Sequence, residues 1–188
     1  MRNLFLAINV SLDGFADHTV AIADDELHEF YSGLLDNTDI ALFGRVTYQL
    51  MESYWPHAHR DPEATKSILD FADKFNAIPK IVFSRTLQKA GWNNTRLVRD
   101  NMVEEVTKLK QQPGKNILIG GLSICQEFMR HGLIDEYRIV VHPVIVGKGK
   151  RLFDELNDRI ALKLVDTKTF HSGVVVLHYQ PDRQEEEK

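Results

Sequence analysis

The chain has 188 residues, 43% of them hydrophobic, enough for one core that buries roughly 70% of the unfolded surface and too many for a disordered chain. A formal net charge of −4, with no continuous basic block, supplies no general field for nucleic acid. The single cysteine, Cys125, cannot form an internal disulfide, the apolar start breaks too early at Asp13-Gly14 for a signal peptide, and no stretch is long enough to span a membrane; a cytoplasmic protein is expected.

In chain order, Leu4 to Val10 reads as a strand, followed by the turn Ser11-Leu12-Asp13-Gly14 and a polar loop to Asp24-Asp25. Leu27, Phe30, Tyr31, Leu34 and Leu35 then recur at helical spacing, with acidic residues at the amino-terminal end where the helix dipole favours them. Ile40 to Phe43 is a second buried strand stopped by Gly44-Arg45. Tyr48, Met51, Tyr54 and Trp55 suggest a helix ending before Pro56. Asp61-Pro62 is read as the cap of a third helix carrying Ile68, Ala72 and Phe75, closing near Pro79.

Lys80 to Phe83 is a strand leading into Ser84-Arg85, and Thr95 to Val98 another, followed by a helix capped by Asn101. Asn116 to Ile119 is a strand apolar on both faces, and Ile124, Cys125, Phe128 and Met129 mark the next helix, with Gly132 as its C-cap. Cys125 lies on the apolar face, as a core thiol does. After a strand starting at Tyr137, "HPVIVGKGKRLFDEL" reads as a loop with a short helical turn. Leu162 to Phe170 and Val174 to Tyr179 form an antiparallel hairpin joined near His171-Ser172-Gly173. The expected fold is α/β: a three-layer sandwich with a mostly parallel central sheet, helices on both faces and a C-terminal antiparallel hairpin. Residues 1–180 are expected to be one domain, with 181–188 a frayed, charged tail.

Three strands end in ligand-friendly turns: Gly44-Arg45-Val46-Thr47, Ser84-Arg85, and Gly120-Gly121-Leu122-Ser123. In open α/β sheets, ligands bind outside the carboxyl ends of the strands. Glycines at a strand-to-helix turn admit an anion to backbone N–H groups, and arginines can grip a ribose phosphate, so the set suits a dinucleotide and favours NADPH over NADH. Taken alone, the glycine pair is an ordinary tight turn and each arginine a solvated cap as readily as a ligand; three such turns on one edge favour the ligand. The G-x-G-x-x-G fingerprint is absent after the first strand, so the layout differs from the usual nucleotide fold.

"INVSLDG", "LFGRVTY", "IVFSRT", "LIGG" and, most specifically, "GLIDEYRIVVHPVIVGKGKRLFDEL" resemble the dihydrofolate-reductase-like proteins, and within them the reductase C-terminal domain of bacterial riboflavin biosynthesis. The resemblance spans nearly the whole chain. It implies that the three turns hold NADPH, with the glycine pair facing the pyrophosphate. It also implies that the first strand and its turn, with Asn9 and Ser11, line the nicotinamide and substrate cleft, that the helix from Leu27 forms another wall, and that the protein is a homodimer.

For the proton that accompanies hydride transfer, no carboxylate matches the helix acid of the dihydrofolate reductases; the matching position falls near His28, and Asp13 is a second candidate. Tyr48 and Trp55 are read as cleft or core aromatics. His57 and His59 offer no third metal ligand, so no metal is expected. No lysine or arginine lies between Arg2 and Arg45, whereas Asp13, Asp17, Asp24, Asp25, Glu26 and Glu29 do, so the acceptor is expected to be neutral or weakly charged unless Lys148, Lys150 or Arg151 reaches in.

The leading expectation is an NADPH-dependent reductase resembling 5-amino-6-(5-phosphoribosylamino)uracil reductase, passing hydride to a small heterocyclic acceptor that can differ from the family substrate. The alternatives are a dihydrofolate reductase of low activity and a non-catalytic NADPH-binding or dimeric interaction protein.

Overall fold

The computed structural model describes residues 1–154, 156 and 158–182, so most of the tail expected from 181 onward lies outside the described residues. The strands are β1 (Leu4–Ser11), β2 (Thr38–Gly44), β3 (Lys80–Phe83), β4 (Thr95–Val98), β5 (Asn116–Gly120), β6 (Glu136–His142), β7 (Leu162–Thr169) and β8 (Val175–Pro181). The helices are α1 (Asp25–Asp36), α2 (Arg45–Glu52), α3 (Lys66–Ala77), α4 (Met102–Gln111) and α5 (Leu122–Arg130). The strands form one eight-stranded sheet in the order β4-β3-β2-β5-β1-β6-β8-β7. Pairing is parallel from β4 to β6 and antiparallel through β8 and β7.

Alternation along β1 divides the core. Leu4, Leu6 and Val10 pack with Val106 and Leu109 of α4 and with Ile124, Cys125 and Phe128 of α5. Phe5 and Ala7 face the other way, against Leu35 of α1, Tyr48 of α2 and Phe71 and Phe75 of α3. A smaller cluster joins Leu27 to Val140, Phe170 and Val176, seating the start of α1 on β6 and the hairpin. No helix among the described residues is long and apolar enough to cross a bilayer.

Several local expectations are corrected. The helix expected to end before Pro56 does so, at Glu52, but Tyr54 and Trp55 lie beyond it, and Trp55–Arg60 form a separate 3-10 turn with Pro56 in its first turn, where a missing N–H does no harm. Asp61 caps no helix: it accepts from Tyr54 Oη (2.8 Å) and Glu63 N (3.0 Å), and α3 starts after Thr65. Asn101 does occupy the position before α4, but with φ 57° its side chain makes no capping bond. The described part of the late loop holds no helical turn, because Arg151 bridges to Phe15 as an isolated antiparallel pair.

Candidate active site

β2 and β5 are neighbours, with Phe43 level with Gly120, so their carboxyl ends deliver α2 and α5 side by side. The two helix starts interlock. A Cβ on Gly121 (φ +113°) would lie 2.5 Å from Thr47 Oγ1, and one on Gly44 would lie 3.1 Å from Ser123 Oγ. A Cβ on Gly120 would sit 2.5 Å from the Phe43 ring. The glycine pair is therefore required by the protein's own packing. Neither α2 nor α5 receives a side-chain cap, so the first-turn amides around Arg45, Val46, Thr47, Leu122 and Ser123 present two adjacent positive helix ends. Such a donor set, with the Thr47 and Ser123 hydroxyls between, fits a pair of linked phosphates.

The third turn lies on the same edge. Ser84 Oγ accepts from Leu87 N (2.9 Å) and Thr86 N (3.2 Å), so the hydroxyl shapes the turn. Arg85 is exposed, and its Nε donates to Asp100 Oδ1 (3.0 Å). Arg45 is also exposed and donates to Gln49 Oε1 (3.1 Å). Both guanidiniums have only solvent-screened partners and remain free to turn to an anion.

At the end of β1, Ser11 is 1% exposed. Its Oγ donates to Asp13 Oδ1 (2.6 Å) and accepts from Phe15 N (3.0 Å). Asp13 also accepts from Val146 N (3.2 Å) and Gly147 N (2.8 Å), tying the loop after β1 to the loop after β6. The Ser11 hydroxyl first, then these amides, hold its carboxyl below the usual carboxylate range. Asp13 is thus an anionic tether, with no proton to give at neutral pH, which corrects its reading as a donor. Ser11 points into the turn and not into an open cleft.

His28 is better placed. Its Nδ1 lies 2.8 Å from the Asp24 carbonyl oxygen, which can only accept, so Nδ1 carries a proton and Nε2 is left to gain or lose one. The ring meets Trp55 edge-on at 6.2 Å between centroids. Trp55 is half-buried, donating from Nε1 to Met51 Sδ and packing on Phe71, so one flank remains available as a wall.

Tyr48 is corrected from cleft to core, since it is fully buried. Its hydroxyl donates to Glu52 Oε1 (2.9 Å), one helical turn on, and accepts from the buried Trp92 N (3.0 Å). Tyr48→Phe is expected to lower stability by about 1 kcal/mol in urea denaturation, because the Trp92 amide loses its acceptor. The acidic run after β1 is likewise absorbed by structure. Asp17 and Asp24 cap helical turns, Asp25 accepts from Thr65 and Ser67, and Glu26 holds the His171 amide at 2.7 Å.

Tyr31, which periodicity assigns to packing, and His142, which reads as the start of a loop, join Asn9 in a polar network. The Ile22 amide donates to His142 Nδ1 (3.1 Å), His142 Nε2 lies 3.0 Å from Asn9 Oδ1, and Tyr31 Oη donates to the same oxygen (3.2 Å). The one sequence signal for His142 is a polar residue on the inward face at the end of an apolar strand, just before Pro143.

Two surface hollows lie elsewhere. One of about 310 Å³ between α1 and α3 is edged by Lys66–Asp70 and Lys74–Asp36 ion pairs. Another of about 420 Å³ opens beside Lys80 and Thr95, at the amino-terminal edge of the sheet. Neither touches the carboxyl ends of the strands.

A mostly parallel sheet with its ligand-friendly turns on the carboxyl edge and an antiparallel hairpin closing one side defines a dihydrofolate-reductase-like protein. The family model of the RibD C-terminal domain matches residues 2–176, and the chain belongs to that family. YyaP, an uncharacterized protein of Bacillus subtilis, is 38% identical over 184 residues, covering 95% of this chain and 94% of that protein. The fold is shared with a structure of a protein ascribed to riboflavin biosynthesis in Shewanella sp. PV-4 (TM-score 0.73, 21% identity, 97% of this chain and 100% of that one). It is also shared with the diaminohydroxyphosphoribosylaminopyrimidine deaminase/5-amino-6-(5-phosphoribosylamino)uracil reductase of Thermotoga maritima (TM-score 0.64, 20% identity), covering 96% of this chain and 56% of that one. Dihydrofolate reductase from Enterococcus faecalis, complexed with NADP(H) and RAB-propyl, matches with TM-score 0.61 and 12% identity over 96% of both chains.

Proposed function

We propose that the protein is an NADPH-dependent reductase that passes hydride to a small, neutral heterocyclic acceptor. The observation that carries this reading is the pair of interlocked, uncapped helix starts at Gly44 and Gly121 on the carboxyl edge of the sheet. Membership of the RibD C-terminal family supports a reductase, the uracil reductase named for the Thermotoga protein suggests a pyrimidine-like acceptor, and the complex of the Enterococcus enzyme suggests NADP(H).

In this reading the amides of Arg45, Val46, Thr47, Leu122 and Ser123 bind the pyrophosphate across Gly120-Gly121, and Arg45 and Arg85 reach the 2′-phosphate. Ser84 shapes the turn that carries Arg85. NADPH, when bound, supplies the hydride. Asn9 and the end of β1 form the floor of the reacting space, Trp55 one wall, and His28 Nε2 delivers the accompanying proton. The resemblance puts His28 of α1 near the position where a dihydrofolate reductase has a carboxylic acid, which disfavours that activity. Exposed Leu164 and Val165 on the outermost strand β7 suit a homodimer, and the buried free thiol of Cys125 suits the cytoplasm.

Parallel calorimetric titrations with NADPH and NADH test the reading. NADPH is expected to bind more tightly, and replacing Arg45 and Arg85 with alanine should weaken it by about tenfold per arginine while NADH changes little. Equal small losses for both cofactors would overturn the phosphate assignment, and binding of neither would overturn the reductase.

A further inference from the structure

The Asn9 network has a fixed polarity. A backbone N–H can only donate, so the Ile22 amide makes His142 Nδ1 an acceptor, and the neutral ring must carry its proton on Nε2. That N–H needs an acceptor, which assigns the Asn9 atom 3.0 Å away as the carboxamide oxygen. Tyr31 Oη adds a second donor to the same oxygen. Two donors on Oδ1 leave Nδ2 as the free end. It has no hydrogen-bond partner among the described residues, and it is not among the buried atoms left without one, so solvent reaches it.

The place of Asn9 in the sheet follows from the register. Asn9 pairs with Val140 and Ser11 with His142, so the ring holding Oδ1 stands on the β6 flank. On the other flank, Leu6 pairs with Ile119, and β5 ends one residue later at Gly120. Asn9 therefore stands beyond the end of β5, on the face of the sheet that carries α1, with Nδ2 the end that its two anchors leave open. This is the crevice where the connections from β1 and β5 leave on opposite faces of the sheet.

We propose that Asn9 is a specificity-determining donor, its NH2 group aimed by Tyr31 and His142 to grip the carbonyl oxygen of a neutral ligand in this crevice. The inference rests on the reductase reading for what occupies the crevice, and on geometry alone for what the site accepts. Nδ2 offers hydrogens and no lone pair, and it is uncharged. It therefore selects an uncharged acceptor atom: the carboxamide oxygen of a nicotinamide or a ring carbonyl of a pyrimidinedione. Tyr31 and His142 are positioning residues, because they touch Asn9 and act through it.

Asn9→Asp is the decisive variant. It keeps an oxygen for both anchors and replaces the solvent-reached NH2 by an acceptor oxygen that also brings a negative charge, so the fold and its thermal midpoint should be retained, and 2′-phospho-ADP-ribose, itself an anion, reports any loss due to that charge alone. Binding is measured for NADPH, for 2′-phospho-ADP-ribose, which lacks the nicotinamide, and for 5,6-diaminouracil added with and without NADP⁺. If the nicotinamide is the ligand, the variant binds NADPH at least about tenfold more weakly and 2′-phospho-ADP-ribose unchanged. If the reducible substrate is the ligand, both nucleotides are unchanged and 5,6-diaminouracil weakens by the same factor. Tyr31→Phe, which removes one anchor, should give a smaller loss with the same selectivity.

All probes binding the variant as they bind the wild type would overturn the proposal, as would an equal loss of NADPH and 2′-phospho-ADP-ribose, which marks general disruption. A wild type that binds neither nucleotide sinks the reductase reading while 5,6-diaminouracil still decides the role of Asn9. Binding of no probe to the wild type sinks both. Independently of any ligand, nitrogen NMR of His142 should show the neutral tautomer protonated at Nε2; a proton on Nδ1 would reverse the polarity and overturn the assignment.

Discussion

Replacing Gly121 with alanine is expected to lower the unfolding free energy by about 3 kcal/mol and to abolish NADPH binding. Two penalties combine. The new Cβ would lie 2.5 Å from Thr47 Oγ1 and 3.0 Å from Thr47 Cβ. Thr47 is β-branched in a helix, so rotation gives little relief and α2 and α5 must move apart, an overpacking that costs about 1–3 kcal/mol. The backbone at φ +113° adds strain of about 1–3 kcal/mol for any residue with a side chain. Separating the helices also separates the two sets of amides, which is why binding fails with stability. Urea denaturation and NADPH titration of the same sample measure both effects. Adding Thr47→Ala should recover part of the stability, since it removes Oγ1 but leaves a Cβ and the φ strain in place. Gly44→Ala provides the contrast. Its φ is −81° and its new Cβ would meet the exposed Ser123 Oγ at 3.1 Å, a side chain free to turn, so the loss should stay below about 1 kcal/mol. A Gly121→Ala protein as stable as the wild type, and still binding, would show that the helix starts are not interlocked.

That glycine pair also marks how far the chain is legible without coordinates. Local patterns carry the architecture: the continuous apolar runs of β2 and β5, the helical spacing of Leu27, Tyr31 and Leu35, and the turn between β7 and β8, where Gly173 N donates to Phe170 O. The placement of the three turns on one edge follows from parallel pairing, which alternation of strands and helices already implies. The reason for the glycines does not follow. An approaching ligand and an approaching side chain leave the same signature in sequence, and here Phe43 and Thr47, from another strand-to-helix turn, fill the space.

The same limit applies to polar side chains. An i, i+3 stripe cannot say whether Tyr48 faces a cleft or the core; Trp92, contributed by a later loop, decides it. Asp13 in a turn reads equally as an acid or a tether, until Val146 and Gly147 supply the amides it holds. Tyr31 fits an apolar pattern and His142 reads as the start of a loop, and their purpose exists only because β6 lies beside β1, although four strands and five helices separate the two in the chain. Contacts between turns remote in sequence are where local reading stops. They are also where this crevice gets its chemistry.

His142→Leu is expected to cost about 2 kcal/mol at pH 8 and to remove a pH dependence that the wild type carries below neutrality. The ring is fully buried, its Nδ1 accepts from Ile22 N and its Nε2–H donates to Asn9, so leucine leaves both partners with a missing bond. Burial lowers the pKa of the ring below its ordinary 6.5, opposed in part by the Asp24 carboxylate near the start of α1. The unfolded chain therefore takes up a proton near pH 6.5 when the native protein does not. Stability due to His142 is complete above that pH and is lost as pH falls from there toward the native pKa. Leucine cannot titrate, so urea-derived stabilities of the two proteins should lie furthest apart at pH 8 and converge as pH falls below 6.5. Comparing the pair cancels contributions common to both proteins. Protonation at Nδ1 would set an N–H against the Ile22 N–H, so the same fall in pH should release Asn9 from its anchor and weaken the grip of its free NH2 on a carbonyl. Curves that stay parallel from pH 8 to pH 5 would mean that the ring titrates alike in both states, and the fixed tautomer that aims Asn9 would lose its support.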